Sequence, residues 1–226
     1  TEMFRGRQRY KSHAGIPHGS TNALGSNLSF YLQWRVGVSV SQWTDQSSNG
    51  NHARQGVSGD QAAIAADGSL DFELSEADHY DFGSQIALSE EEGFVLFFVC
   101  NLETAGSDNI SILGLNNTQH MIEFFNDTNK IRTRLGSTTT LVSPGDGTRA
   151  DWVAGEKFVL TVQREGGGGN IILWKNGVLL PQDSQASNIG DGEFSAIGVR
   201  NADRYFDGKM YDIAFIEASA GGAAHI

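Results

Sequence analysis

Lys157–Leu180 reads "KFVLTVQREGGGGNIILWKNGVLL". Three apolar runs are separated by two reversals, and those reversals decide the fold. Asn176-Gly177, between "IILWK" and "VLL", is the dipeptide that a two-residue hairpin favours, because both central residues need positive φ. The four glycines after Glu165 make a looser reversal, since Gly adopts either sign of φ and fixes no single turn type. Consecutive hairpins imply antiparallel strands.

Outward from this segment the same grammar repeats. "FVLFFVCNL" (Phe94–Leu102) is apolar on both faces, the pattern of a central strand covered on both sides. Within it Cys100 reads as a small buried hydrophobe. "LSFYLQW" alternates Leu28, Phe30, Leu32 and Trp34 against Ser29, Tyr31 and Gln33, and "SLDFELS" sets Leu70, Phe72 and Leu74 opposite Asp71 and Glu73. Further short strands are expected in "NISILGL", "HMIEFFN", "KIRTRLG", "TTTLVS", "EFSAIGV" and "KMYDIAFIEA". No helix of ten residues emerges. About ten strands with frequent turns predict an all-β protein, two antiparallel sheets packed face to face. Hydrophobic residues make up 39% of the 226 and charged residues 19%, values of a globular chain. That length suffices for one large β domain.

Several segments in order resemble the laminin-G-like domains of the concanavalin A-like jelly-roll superfamily. "QWTDQSSNGNHARQ" is similar to their early aspartate-rich turn, and "FVLFFVCNLE" to their central strand. Lys157–Leu180 is similar to their paired strands with the Asn-Gly hairpin. "RYFDGKMYDIAFIEASA" is similar to their closing strand, with Phe206, Gly208, Met210, Ile213 and Phe215 in the matching places. The resemblance implies a two-sheet antiparallel jelly-roll sandwich over residues 28–218. It also implies that Trp43 belongs to the turn that leads into the sandwich, with Asn49, Gly50 and Asn51 reversing the chain.

The superfamily includes glucanases, lectins, adhesion modules and virion components, so the residues must choose among them. A glucanase needs a Glu-x-Asp-x-x-Glu set of carboxylates on one strand face. Glu123 and Asp127 are four apart, and Asp71 and Glu73 lack a third partner, so no enzyme is expected. Calcium would need oxygen-rich loops, and 107–109, 126–129, 143–147 and 188–192 have that composition. Turn chemistry accounts for all four, so no metal or other cofactor is expected. The six histidines show no His-x-x-x-His spacing. A glycan site would use exposed aromatics; Trp43, Trp152 and Tyr205 are the candidates, while Trp34 and Trp174 fall in apolar strand patterns and are expected in the core.

Charge divides the chain. Residues 1–27 hold Arg5, Arg7, Arg9 and Lys11 against Glu2, and the rest carries 12 basic and 26 acidic residues within a net charge of −11. The acidic body argues against nucleic acid. No apolar run is long enough to span a bilayer as a helix, and no signal-peptide pattern is read. Residues 1–27 are unpatterned and are expected to form an extended basic arm that orders on a partner through Arg5, Arg7, Arg9, Tyr10 and Lys11. Residues 219–226 read as a flexible tail. Arm-bearing sandwiches of this kind resemble structural proteins of tailed-bacteriophage virions. That likeness implies a non-enzymatic capsid-decoration, head-fibre or tail component. It would be made in a host cytoplasm and assembled with itself or other capsid or tail subunits. The alternative is a lectin-like module that binds a host surface glycan.

Overall fold

The computed structural model describes residues 28–218 with the exception of 91, 104–108, 116, 126–129, 137, 143–152, 167–168 and 181–189. The expected basic arm at 1–27, the tail at 219–226 and Trp152 therefore lie outside the described residues.

The strands in chain order are β1 (Leu28–Leu32), β2 (Val38–Ser39), β3 (Gln42–Trp43), β4 (Ala53–Arg54), β5 (Ala63–Ile64), β6 (Leu70–Phe72), β7 (Tyr80–Leu88), β8 (Gly93–Leu102), β9 (Ile110–Leu115) and β10 (Asn117–Phe125). They continue as β11 (Lys130–Leu135), β12 (Thr138–Val142), β13 (Lys157–Arg164), β14 (Ile171–Lys175), β15 (Val178–Leu179), β16 (Gly192–Ile197), β17 (Val199–Arg200), β18 (Arg204–Tyr205) and β19 (Gly208–Ala218). One sheet runs β15-β14-β13-β8-β19-β6-β5, with β1 also on β19; the other runs β12-β11-β10-β9-β16-β7-β4-β3-β2. Pairing is antiparallel. The two sheets enclose one apolar core, as the sequence pattern requires.

Alternation explains the core. In β8 the side chains of Phe94, Leu96, Phe98, Cys100 and Leu102 point inward, and Phe158, Leu160 and Val162 of β13 join them. Ile112, Ile122, Phe124, Ile131 and Phe194 close the core from the second sheet. Each large side chain so buried contributes about 1.5–3 kcal/mol. Cys100 is fully buried, and burial pushes its thiol well above the ordinary value. The Asn-Gly turn forms as expected, with φ of 52° at Asn176 and 78° at Gly177. Asn176 Oδ1 also accepts the Val159 amide at 2.9 Å.

Two bulges change the expected facing. In β1 the register slips between Leu28 and Phe30, so Phe30 and Leu32 enter the main core while Leu28 and Tyr31 pack outside against Ala214. In β19 a slip between Met210 and Asp212 lets Met210 and Ile213 both point inward. Trp34 and Trp174 are not core residues. β1 ends at Leu32, and Trp34 lies half-buried with Arg35 and Lys157 over its ring at 4.3 and 4.4 Å. Trp174 alternates with buried Leu173 and is likewise half-buried.

The segment around Trp43 is architecture. Asp45 Oδ1 accepts the amides of Tyr31 and Ser47, both at 2.8 Å. Its Oδ2 accepts Ser47 Oγ at 2.6 Å and the Asn51 amide at 2.8 Å. Asn49 and Asn51 donate their side-chain amides to Leu28 O and Ser29 O. Gly50 has φ of 70°. This aspartate-centred turn fastens β3 to β1. No helix among the described residues is long and apolar enough to cross a membrane.

Candidate functional site

The outer face of the nine-stranded sheet carries a small β-ribbon, β17–β18, in which Val199 pairs with Tyr205 and Arg200 with Arg204. Gly198, with φ of 79°, turns the chain out of β16, and its carbonyl accepts the Phe206 amide at 2.7 Å. The ribbon then lies directly on β9. Gly114 makes this possible: a Cβ there would collide with Val199 O and stand 3.0 Å from Arg200 Cα. At the ribbon tip Asn201 and Ala202 both take left-handed φ, 56° and 50°, and Tyr205 donates its hydroxyl to Ala202 O at 3.0 Å. A left-handed alanine is uncommon and marks local strain.

On one side the ribbon overhangs β7 and β16 and forms a pocket of about 120 Å³ whose lining includes His79, Asp81, Ser195, Val199, Asn201 and Tyr205. Tyr205 is half-buried, and its ring centre lies 6.0 Å from that of His79. His79 Nδ1 lies 2.8 Å from Ala77 O and its Nε2 lies 3.1 Å from Gln55 Nε2. Nδ1 faces a carbonyl acceptor and Nε2 an amide donor. Both nitrogens are thus committed, which leaves the ring face to the pocket. Asp81 is exposed. Burial, with Asp60 and Asp203 nearby, pushes the Tyr205 hydroxyl up, so it stays protonated at neutral pH. The pocket offers an aromatic face, a carboxylate acceptor and two neutral polar groups, the equipment for holding a polyhydroxylated ring.

On its other side the ribbon meets Glu123 of β10. Arg200 Nη1 is 3.3 Å and Arg204 Nη1 4.0 Å from that carboxylate, and Arg132 of β11 pairs with it directly. Register explains the meeting, because Glu123 stands opposite both Arg132 and Ser111. Burial pushes the Glu123 carboxyl up against the pull of the three guanidinium groups, and burial also lowers Arg132.

Of the aromatics expected at a glycan site, Tyr205 lies at this pocket, and Trp152 is outside the described residues. Trp43 is 1% exposed, with its indole N–H donated to Gln33 O at 3.0 Å, and offers no face to a ligand. Glu123 is 0% exposed and held by arginines. Glu73 lies with Asp71 and Glu103 in a group whose carboxylate oxygens are within 4.8 Å of one another. Burial and these carboxylates push Glu73 up, and Lys209 Nζ answers Asp71 at 3.6 Å and Glu103 at 3.9 Å. This group could present oxygens to a cation, but the lysine already supplies the positive charge. Of the loops considered for calcium, 107–108, 126–129, 143–147 and 188–189 lie outside the described residues. Sequence reasoning missed His79, Asp81, Ser195 and Asn201, which come from three separate segments with no common motif.

Domain 4 of a GH43 extracellular arabinanase from Geobacillus stearothermophilus, solved with arabinotriose, has a similar structure. Its TM-score is 0.56 at 14% identity, over 85% of this chain and 93% of that one. The ligand-binding domain of botulinum neurotoxin serotype D, solved with N-acetylneuraminic acid, gives 0.56 at 16% identity over 88% of this chain and 49% of that one. Trypanosoma rangeli sialidase, solved with the inhibitor DANA, gives 0.51 at 10% identity over 83% and 30%. The chain thus spans nearly all of the arabinanase domain but only about half of the toxin domain. At these identities the likeness establishes the fold alone, a two-sheet antiparallel β-sandwich. No family model and no curated protein matches the sequence.

Proposed function

We propose that this chain is a non-enzymatic glycan-binding module that holds a sugar ring in the pocket between β7, β16 and the β17–β18 ribbon. The observation that carries the reading is Tyr205, half-exposed beside Asp81, Ser195 and Asn201. An aromatic ring takes the apolar face of a sugar, while carboxylate, amide and hydroxyl groups take its rim of hydroxyls. The fold supports the reading, since solved domains that share it hold arabinotriose in one case and N-acetylneuraminic acid in another. A glycan array followed by calorimetry tests it. Tyr205→Ala should weaken the best binder by about tenfold or more, consistent with loss of a stacked contact. A folded wild type that binds nothing on the array, or a Tyr205→Ala variant that binds unchanged, overturns it.

Attachment to a virion through residues 1–27 remains a second proposal, supported by the charge contrast between Arg5, Arg7, Arg9 and Lys11 and the acidic remainder. Deleting 1–27 should abolish salt-sensitive docking to other virion subunits without touching glycan affinity. Unchanged docking by the truncated chain would remove it.

A further inference from the structure

The ribbon that walls the pocket has an opposite, cationic face. Successive residues of a strand point to opposite sides, so Arg200 and Arg204 face away from Val199 and Tyr205. Both reach Glu123, as does Arg132. One buried carboxylate therefore answers three guanidinium groups in a chain whose net charge is −11. Even with Asp203, whose exposed carboxylate lies 3.7 Å from Arg204 Nε, cations outnumber anions at the cluster among the described residues. Arg132 Nε, Arg200 Nε and Arg204 Nη1 are shielded from solvent without a hydrogen bond, and so is Glu123 Oε1, which Arg132 and Arg204 flank as ion pairs but which is one oxygen among these N–H groups. Unsatisfied N–H groups of this kind are costly and rare, and at an incompletely neutralised cluster they favour an added anion. The cluster is reachable: the side chains of Arg204 and Arg132 are 28% and 16% exposed, and Arg132 lies over the Phe125 ring at 4.3 Å. The pocket side, by contrast, has Asp81 in its lining and Asp60 near Tyr205, which repel an anion.

Resting on the glycan reading above, we propose that the ligand is an acidic saccharide. An uncharged ring sits at Tyr205, and an anionic substituent, carboxylate or sulfate, is held across the ribbon by Arg204 and Arg132. Facing β layers stand ~10 Å apart, so a ribbon with its side chains is about that thick, and a ligand of two or more rings is needed to reach over its edge from Tyr205 to Arg204. The aspartates on one side and the arginines on the other fix the direction in which the ligand lies. Guanidinium groups pair well with either substituent, and the planar carboxylate matches their fork bidentately.

The test is calorimetry with three matched oligosaccharides: one neutral, one bearing a carboxylate and one bearing a sulfate, each at low and high salt. An acidic member should bind about tenfold or more tightly than the neutral one, with the preference falling as salt rises. Arg204→Gln should erase the preference and leave affinity for the neutral member unchanged. Which acidic member binds better identifies the substituent. Equal binding of all three by the wild type, or a preference that survives both Arg204→Gln and Arg132→Gln, overturns the acidic-ligand inference and leaves the glycan reading standing. Binding of none of the three, nor of any array glycan, sinks both. Thermal melts check that the variants fold. Should Arg204→Gln fail to fold, the wild-type comparison and its salt dependence still decide.

Discussion

Asp45 accepts four hydrogen bonds through one carboxylate, and its loss leaves three backbone amides and a hydroxyl without their acceptor. Asp45→Ala should therefore cost about 3 kcal/mol or more in urea denaturation. Asp45→Asn, which keeps one acceptor oxygen, should cost less. His120 makes a pH-dependent contribution. It is buried, and its Nδ1 accepts the Glu193 amide at 3.1 Å and the Gly136 amide at 3.4 Å. Burial lowers its folded pKa, so the unfolded chain takes up a proton first as pH falls. The stabilisation from a neutral His120 is thus complete above about pH 6.5 and is lost as pH drops toward the folded value. His120→Asn keeps an acceptor in the place of Nδ1. Denaturation midpoints for wild type and variant should converge at neutral pH and diverge below it, the wild type falling faster. Single residues were also the hardest to read from sequence. Trp43 and Tyr205 looked alike as loop aromatics, but the aspartate turn buries one and the ribbon tip leaves the other partly open. Nothing local to either residue encodes that difference.

At the scale of elements, the hairpins were legible because Asn-Gly and alternating apolar runs act locally. β8, β13, β14 and β19 all fall where those patterns placed them. The β17–β18 ribbon was not legible. Its strands are two residues each, too short to show alternation, and "RYFDG" reads as part of the closing strand. Its place depends on Gly114, some eighty residues earlier in the chain. Likewise the Glu123 cluster joins four residues through strand register, which alternation within "KIRTRLG" cannot reveal. Gly114→Ala tests how the ribbon is held. The added methyl group should cost about 1–3 kcal/mol by overpacking and lift the ribbon from β9. Circular dichroism should still report a folded sandwich, while glycan binding falls with that of Tyr205→Ala. Unchanged binding would mean that the pocket does not depend on this contact.

For the whole molecule, the last strand matters most. β19 runs between β8 on one side and β6 and β1 on the other, near the middle of its sheet. A chain truncated after residue 205 lacks this strand and should remain unfolded by circular dichroism, whereas residues 28–218 should unfold cooperatively. Folding should be slow, in milliseconds to seconds, because the sheets join distant segments. The pairing of β1 with β19 has another effect. Leu28 stands opposite Ile216, so the two ends of the segment 28–218 lie together at one corner of the sandwich, on the sheet turned away from the ribbon. A permuted version, with a short bridge from 218 back to 28 and a fresh opening at the exposed Asn176-Gly177 bend, should keep its shape. For the same reason the sandwich can be spliced into a surface loop of an unrelated carrier, leaving the ribbon face pointing outward.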